Sequence, residues 1–127
     1  MKTNNGTVMI VEDDSDIREL MKMIIESEGY HVEVAADGLD ALRQLREGTQ
    51  PGLILVDMMM PRMDGEQFLK EIRANHFEST PVIIISGHAG AQQKAGELHA
   101  ASCLMKPIEC KELLKAIRNF VSPLAKS

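Results

Sequence analysis

Five short apolar runs, each followed by a stretch with helical periodicity, constrain this chain more than any other feature of its sequence. The first run is Val8-Met9-Ile10-Val11. Ile17, Leu20, Met21, Ile24 and Ile25 follow at i, i+3, i+4, i+7 and i+8, the spacing of one helix face. Gly29 stops that helix. His31-Val32-Glu33-Val34 alternates, as an edge strand does. Asp37-Gly38 turns the chain into a second helix, with Leu39, Leu42 and Leu45 inward and Gly48 closing it. Leu53-Ile54-Leu55-Val56 is wholly apolar, which marks a strand covered on both faces. After a loop over 61–65, Phe68, Leu69 and Ile72 line a third helix. Val82-Ile83-Ile84-Ile85 is the strongest strand. A weaker Ala/Gln-rich helical pattern covers 89–98. A last strand spans 102–105, and Leu113, Leu114, Ile117, Phe120 and Val121 line a final helix ended by Pro123. Five such units predict an α/β protein: a parallel sheet with right-handed crossovers and helices on both faces. One domain over 1–127 is expected, with a polar, flexible stretch over 1–6.

Composition excludes several functions. Aromatic residues are 3% of the 127 and Trp is absent, so base-stacking platforms are not expected. The net charge of −5 argues against a broad basic face for nucleic acid. Cys103 and Cys110 form no CxxC pattern, which argues against a disulfide framework or zinc site. No apolar run approaches the ~18 residues of a membrane span. The N-terminus has no signal-peptide core, and a soluble cytoplasmic protein is expected.

In open parallel sheets, ligands sit beyond the carboxyl ends of the strands. Here those ends carry Glu12-Asp13-Asp14, Asp57, Ser86-Gly87 and Lys106-Pro107. With strand order 2-1-3-4-5, Asp57 lies centrally, flanked by Glu12 and Asp13 on one side and by Ser86 and Lys106 on the other. Like charges ~4 Å apart repel by about 1–4 kcal/mol, and one lysine cannot neutralise three carboxylates. Such a cluster raises a carboxylate pKa or recruits a hard divalent cation. Mg²⁺ suits it, because it prefers oxygen ligands and keeps waters that a phosphate can replace. Aspartate is a competent nucleophile toward phosphorus, and phosphoryl transfer mainly needs positioning and charge stabilisation. Asp57 would attack, Lys106 would pair with a phosphoryl oxygen, and Ser86 would donate a hydrogen bond.

These motifs resemble response-regulator receiver domains, the CheY-like proteins of two-component signalling. The resemblance spans about residues 7–122. It rests on Val8-Met9-Ile10-Val11-Glu12-Asp13-Asp14, on Leu55-Val56-Asp57 through Met63-Asp64-Gly65, on Pro81-Val82-Ile83-Ile84-Ile85-Ser86-Gly87, and on Lys106-Pro107. Each motif alone is weak; four at the ends of strands 1, 3, 4 and 5 are specific. The resemblance implies a flavodoxin-like, doubly wound (βα)5 three-layer sandwich. It implies Asp57 as phosphoacceptor, Asp13 as direct ligand of Mg²⁺ or Mn²⁺, and Glu12 acting through water. Met59 would supply a backbone carbonyl to the metal, Ser86 the switch hydroxyl, and Lys106 the phosphoryl partner before a cis bond to Pro107. The implied function is phosphoryl transfer from a histidine kinase or phosphotransfer protein, with slow self-dephosphorylation rather than enzyme turnover. The output would be contact with an effector protein through segment 89–98, the last strand and the last helix. A monomer or a weak phosphorylation-dependent dimer is expected, with no nucleic acid or membrane partner.

The chain departs from the pattern at three places. Cys103 stands where receivers often carry a Tyr or Phe switch, His99 where a glycine is usual, and Gly87 where alanine is more frequent. Glycine in that place would loosen the loop that holds the phosphoryl group. Segment 89–98 and the loop at 87–90 are expected to carry the response to phosphorylation.

Each motif also has a plainer reading. Glu12-Asp13-Asp14 could simply cap a helix. The Met58, Met59, Met60 and Met63 group reads as gap-filling packing, and Cys103 as a small apolar residue. His31, His76, His88 and His99 lack ligand spacing. The rivals are a receiver module of a larger hybrid kinase or transcription regulator, a binding-only pseudo-receiver, and an aspartate-dependent phosphatase. The phosphatase reading wants a second Asp where Met59 stands.

Overall fold

The computed structural model describes residues 6–58, 63–74, 80–87, 93, 96–97 and 100–123. Strand β1 (Thr7–Val11) leads to α1 (Ser15–Glu26), β2 (His31–Ala35), α2 (Gly38–Arg46), β3 (Leu53–Asp57) and α3 (Gly65–Ala74). Strands β4 (Val82–Ser86) and β5 (Ser102–Met105) and helix α4 (Cys110–Arg118) complete the described elements. All four strand pairings are parallel, in the order β2-β1-β3-β4-β5. Most of the helical pattern at 89–98 falls outside the described residues, as do Met59, His76, His88 and His99.

The period-2 geometry of strands splits the sheet's side chains into two cores. On one face Met9, Val11, Ile54, Val56, Val82 and Ile84 pack against Leu42 and Leu45 of α2 and Phe68, Leu69 and Ile72 of α3. On the other, Val8, Ile10, Leu53, Leu55, Ile83 and Ile85 pack against Met21 and Ile25 of α1 and Leu113 and Ile117 of α4. The sheet is therefore sandwiched between helix layers, as the apolar runs of β3 and β4 require. Every residue of these two strands is buried. Gly29 and Gly48 close their helices at φ 94° and 113°, conformations that favour glycine.

Three expectations change. Ile17 and Leu20 of α1 are 40% and 57% exposed, so only part of the predicted helix face enters the core. Leu39 of α2 is also exposed, and Ala41 takes its place inside. Gly6, which falls within the stretch 1–6 expected to be flexible, is held in place. That residue is buried, and its carbonyl accepts from the His31 N–H at 2.9 Å, extending the β1–β2 pairing by one residue.

The far ends of α1 and α4 are tied together. Arg118 donates to Glu28 at 2.7 Å, and the buried Tyr30 hydroxyl donates to the Val121 carbonyl at 3.2 Å. Toward the carboxyl edge of the sheet the same two helices leave an apolar groove of about 510 Å³. Ile17, Leu20, Met21, Ile24 and Leu113 line its sides, and Glu12 and Lys106 line the end nearest the strands' carboxyl edge.

Candidate functional site

The turn after β1 divides three consecutive acids between two tasks. Asp14 caps α1, its carboxylate accepting from the Asp16 and Ile17 N–H groups at 2.9 and 3.1 Å. That satisfies two of the helix's open donors, while Glu12, which accepts from the Asp14 N–H at 3.2 Å, and Asp13 bring their carboxylates toward Asp57 at the end of β3. The capping reading of this motif holds for Asp14, while Glu12 and Asp13 turn toward the carboxyl edge of the sheet. The Glu12 main chain is fixed by hydrogen bonds from its N–H to the Ala35 carbonyl and from Arg18 to its own carbonyl.

Asp57 ends the fully buried β3, and the Met58 N–H donates to the Ile85 carbonyl at 3.0 Å, so the chain leaves the sheet in a fixed direction. Carboxylate oxygens of Glu12, Asp13 and Asp57 all lie within 4.8 Å of one another. Lys106, at the end of β5, reaches across β4 to place Nζ 3.1 Å from the Asp57 carboxylate. Its own N–H donates to the Ser86 carbonyl at 2.9 Å, which pins the lysine beside the buried serine. The Lys106–Pro107 peptide is cis. The structure thus brings Glu12, Asp13, Asp57, Ser86 and Lys106 to one edge.

The electrostatics follow from crowding. Burial is the main force that pushes the Glu12 carboxyl up to about 7. The Asp14 N–H bond opposes it, and the neighbouring Asp57 carboxylate reinforces it against the pull of Lys106. A glutamate held this far above its ordinary range is one that a bound cation would restore to its charged form. The donor set is all oxygen, mixed in exposure and compact, which fits a small hard divalent ion that retains water.

The three departures stand as follows. A methyl at Gly87 would lie 3.8 Å from Lys106 Cβ, an ordinary contact, so this glycine meets no steric demand. Cys103 is half-buried in β5 and packs on the α2–α3 side of the sheet, where burial raises its thiol pKa. His99 falls outside the described residues. Of the remaining histidines, His31 is exposed and pairs with Glu33 at 2.8 Å. The α1–α4 groove is the feature missed in the sequence. Its signal was present: α1 carries apolar residues at 17, 20, 21, 23, 24 and 25, more than one buried stripe can use.

Residues 8–118 match the family model of the response regulator receiver domain, and the chain belongs to that family. It is 40% identical over 117 residues to Protein PilG of Pseudomonas aeruginosa, covering 90% of this chain and 86% of that one. It is 37% identical over 116 residues to the transcriptional regulatory protein CpxR homolog of Haemophilus influenzae, covering 90% of this chain and 49% of that one. The chain thus spans about half the length of this second relative. Among solved structures, the Vibrio cholerae chemotaxis protein CheY4 matches with a TM-score of 0.82 at 29% identity, over 89% of this chain and 96% of that one. Receiver domains are signalling domains of two-component systems, not classical enzymes; they bind Mg²⁺ at an acidic pocket and interact with histidine kinases and effector domains. No helix among the described residues is long and apolar enough to cross a membrane.

Proposed function

We propose that this chain is a cytoplasmic receiver domain over 1–127 that accepts a phosphoryl group on Asp57. The observation that carries the reading is the convergence on Asp57 of two further carboxylates and one lysine. Glu12, Asp13 and Asp57 would hold Mg²⁺, with the Met59 carbonyl as a further ligand by family resemblance. Bound there, the ion would neutralise the crowded carboxylates and polarise phosphoryl oxygens. The Asp57 carboxylate attacks phosphorus, a P–O bond forms, and the P–N bond of the donor phosphohistidine breaks with the imidazole as leaving group. Lys106 then turns from Asp57 to an oxygen of the new acyl phosphate, and Ser86 donates to another. Water slowly reverses the modification.

The donor must bring its phosphohistidine to the rim of this site. The apolar groove between α1 and α4 ends at Glu12 and Lys106, so a protein surface seated on Ile17 and Leu20 comes beside two of the residues that surround Asp57. That continuity supports this face as the docking place of the phosphoryl donor. The output face is expected on segment 89–98, β5 and α4. The same site would serve a one-domain regulator or the receiver module of a longer protein; the match covers 86% of one relative and 49% of another.

Incubation with acetyl phosphate and Mg²⁺ tests the central claim. Intact mass should increase by one phosphoryl group, and Asp57→Asn should abolish the gain. An unlabelled wild type, under conditions that label a control receiver, refutes the reading in favour of a binding-only domain.

A further inference from the structure

Gly65, the first residue of α3, meets the end of β3. The Gly65 N–H donates to the Met58 carbonyl at 3.0 Å. A Cβ on Gly65 would stand 2.9 Å from Met58 Cα and 3.0 Å from the Asp57 carbonyl oxygen. Non-bonded carbons sit about 3.5–4.0 Å apart, so a side chain here forces the two backbones apart by about half an ångström or more. Both obstructing atoms are main chain and cannot turn aside.

Neither partner is loosely held. Met58 is bonded on its other side to Ile85 of β4. The start of α3 is fixed by a reciprocal cap, in which the Gln67 N–H donates to the Asp64 carboxylate at 2.9 Å and the Asp64 N–H donates to the Gln67 side chain at 3.1 Å. Phe68, one residue on, is fully buried. Displacement at Gly65 therefore reaches the end of β3, where the Asp57 carboxylate faces Glu12 and Asp13. Metal–oxygen distances tolerate only about 0.2 Å.

We infer that Gly65 is a positioning residue for Asp57: lacking a side chain, it lets α3 seat directly on the phosphoacceptor's backbone and so sets where the carboxylate meets an incoming cation. The inference rests on the Mg²⁺-binding receiver reading above. Gly38 supplies the contrast. A Cβ there would meet Met63 Cγ and Sδ at 3.0 Å, and a methionine side chain can move away.

Mg²⁺ titration by calorimetry on the whole chain tests this with wild type, Gly65→Ala and Gly38→Ala, each checked for folding by its thermal midpoint. Gly65→Ala should raise the Mg²⁺ Kd about tenfold, the scale on which lost outer-shell support weakens metal sites. Gly38→Ala should leave it unchanged. An unchanged Kd in Gly65→Ala overturns the inference, and so does an equal loss in both variants. Should Gly65→Ala fail to fold, Gln67→Ala decides, because it opens the cap without adding a methyl. It should weaken Mg²⁺ about threefold, again as outer-shell support is lost, and an unchanged Kd overturns the inference. A wild type that binds no Mg²⁺ refutes the receiver reading itself, and the inference with it.

Discussion

Glu12 is 4% exposed and shares its surroundings with Asp57, so its proton is held in the folded chain long after an unfolded chain would release it. Its ordinary value is 4.5 and its folded value about 7. Below pH 4.5 both states carry the proton and it makes no difference. Between about 4.5 and 7 only the unfolded state ionises, and the folded state binds more protons, so its stability falls as pH rises. Above 7 both are charged and the loss is complete, roughly 1–3 kcal/mol. Urea denaturation without metal should therefore show wild type losing stability relative to Glu12→Gln across this window. The glutamine variant should be the more stable protein at pH 8. A constant difference between the two from pH 4.5 to 8 would contradict the assigned cause. Cation binding displaces the same proton, so Mg²⁺ affinity should increase as pH rises through 7.

Helix α1 shows why apolar pattern and burial are different statements. Ile25 is fully buried and Met21 nearly so, whereas Leu20, one residue from Met21 and equally apolar, is 57% exposed. Period 3.6 identifies the helix but not how much of its apolar face a neighbour covers. Coverage depends on the neighbouring helix: Arg118 of α4 ties to Glu28 just after α1, whereas Ile17 and Leu20 line the groove toward the site. Two substitutions separate the roles. Ile25→Ala should cost about 2–5 kcal/mol of stability, as large-to-small core changes do. Leu20→Glu should change stability by only about 0.5 kcal/mol or less, since surface changes are nearly neutral. Leu20→Glu should nevertheless slow phosphoryl transfer from a donor protein about tenfold, the effect of losing ~1.4 kcal/mol of docking, while leaving labelling by acetyl phosphate unchanged. Equal rates with the protein donor would remove the groove from the docking reaction. The same distinction governs α2, where Leu39 looked inward by spacing and Ala41 is the buried residue.

At the scale of the molecule, most of the architecture was legible because burial on both faces leaves a distinctive mark. Strands β3 and β4 are uninterrupted aliphatic runs, and that alone places them at the centre of a parallel sheet. Once strand order follows, the chemistry at the carboxyl edge is a list of what ends each strand. Glu12, Asp13, Asp57, Ser86 and Lys106 were therefore readable without coordinates. The role of Gly65 was not, because a backbone approach of 2.9 Å leaves no periodic signal. The groove was legible only in part: the apolar surplus of α1 marked one wall, but which helix forms the other does not follow from the pattern of α1.

The acidic edge also connects the site to global stability. Three carboxylates brought within 4.8 Å of one another belong to the folded state only, so a cation that binds them binds the native chain in preference to the unfolded one. At a concentration ten times its Kd, such a ligand stabilises the fold by about 1.4 kcal/mol. For a domain of this size that corresponds to a rise in Tm of roughly 5 °C. The rise should be measurable by calorimetry at pH 8, where Glu12 is already charged, and smaller at pH 5.5, where binding must first displace its proton. Asp13→Ala should abolish it while leaving the metal-free Tm equal or higher, because Asp13 is exposed and its removal relieves repulsion without opening a cavity. A Tm that rises equally in wild type and Asp13→Ala would show that the ion acts elsewhere on the surface and that the three carboxylates do not form the binding site.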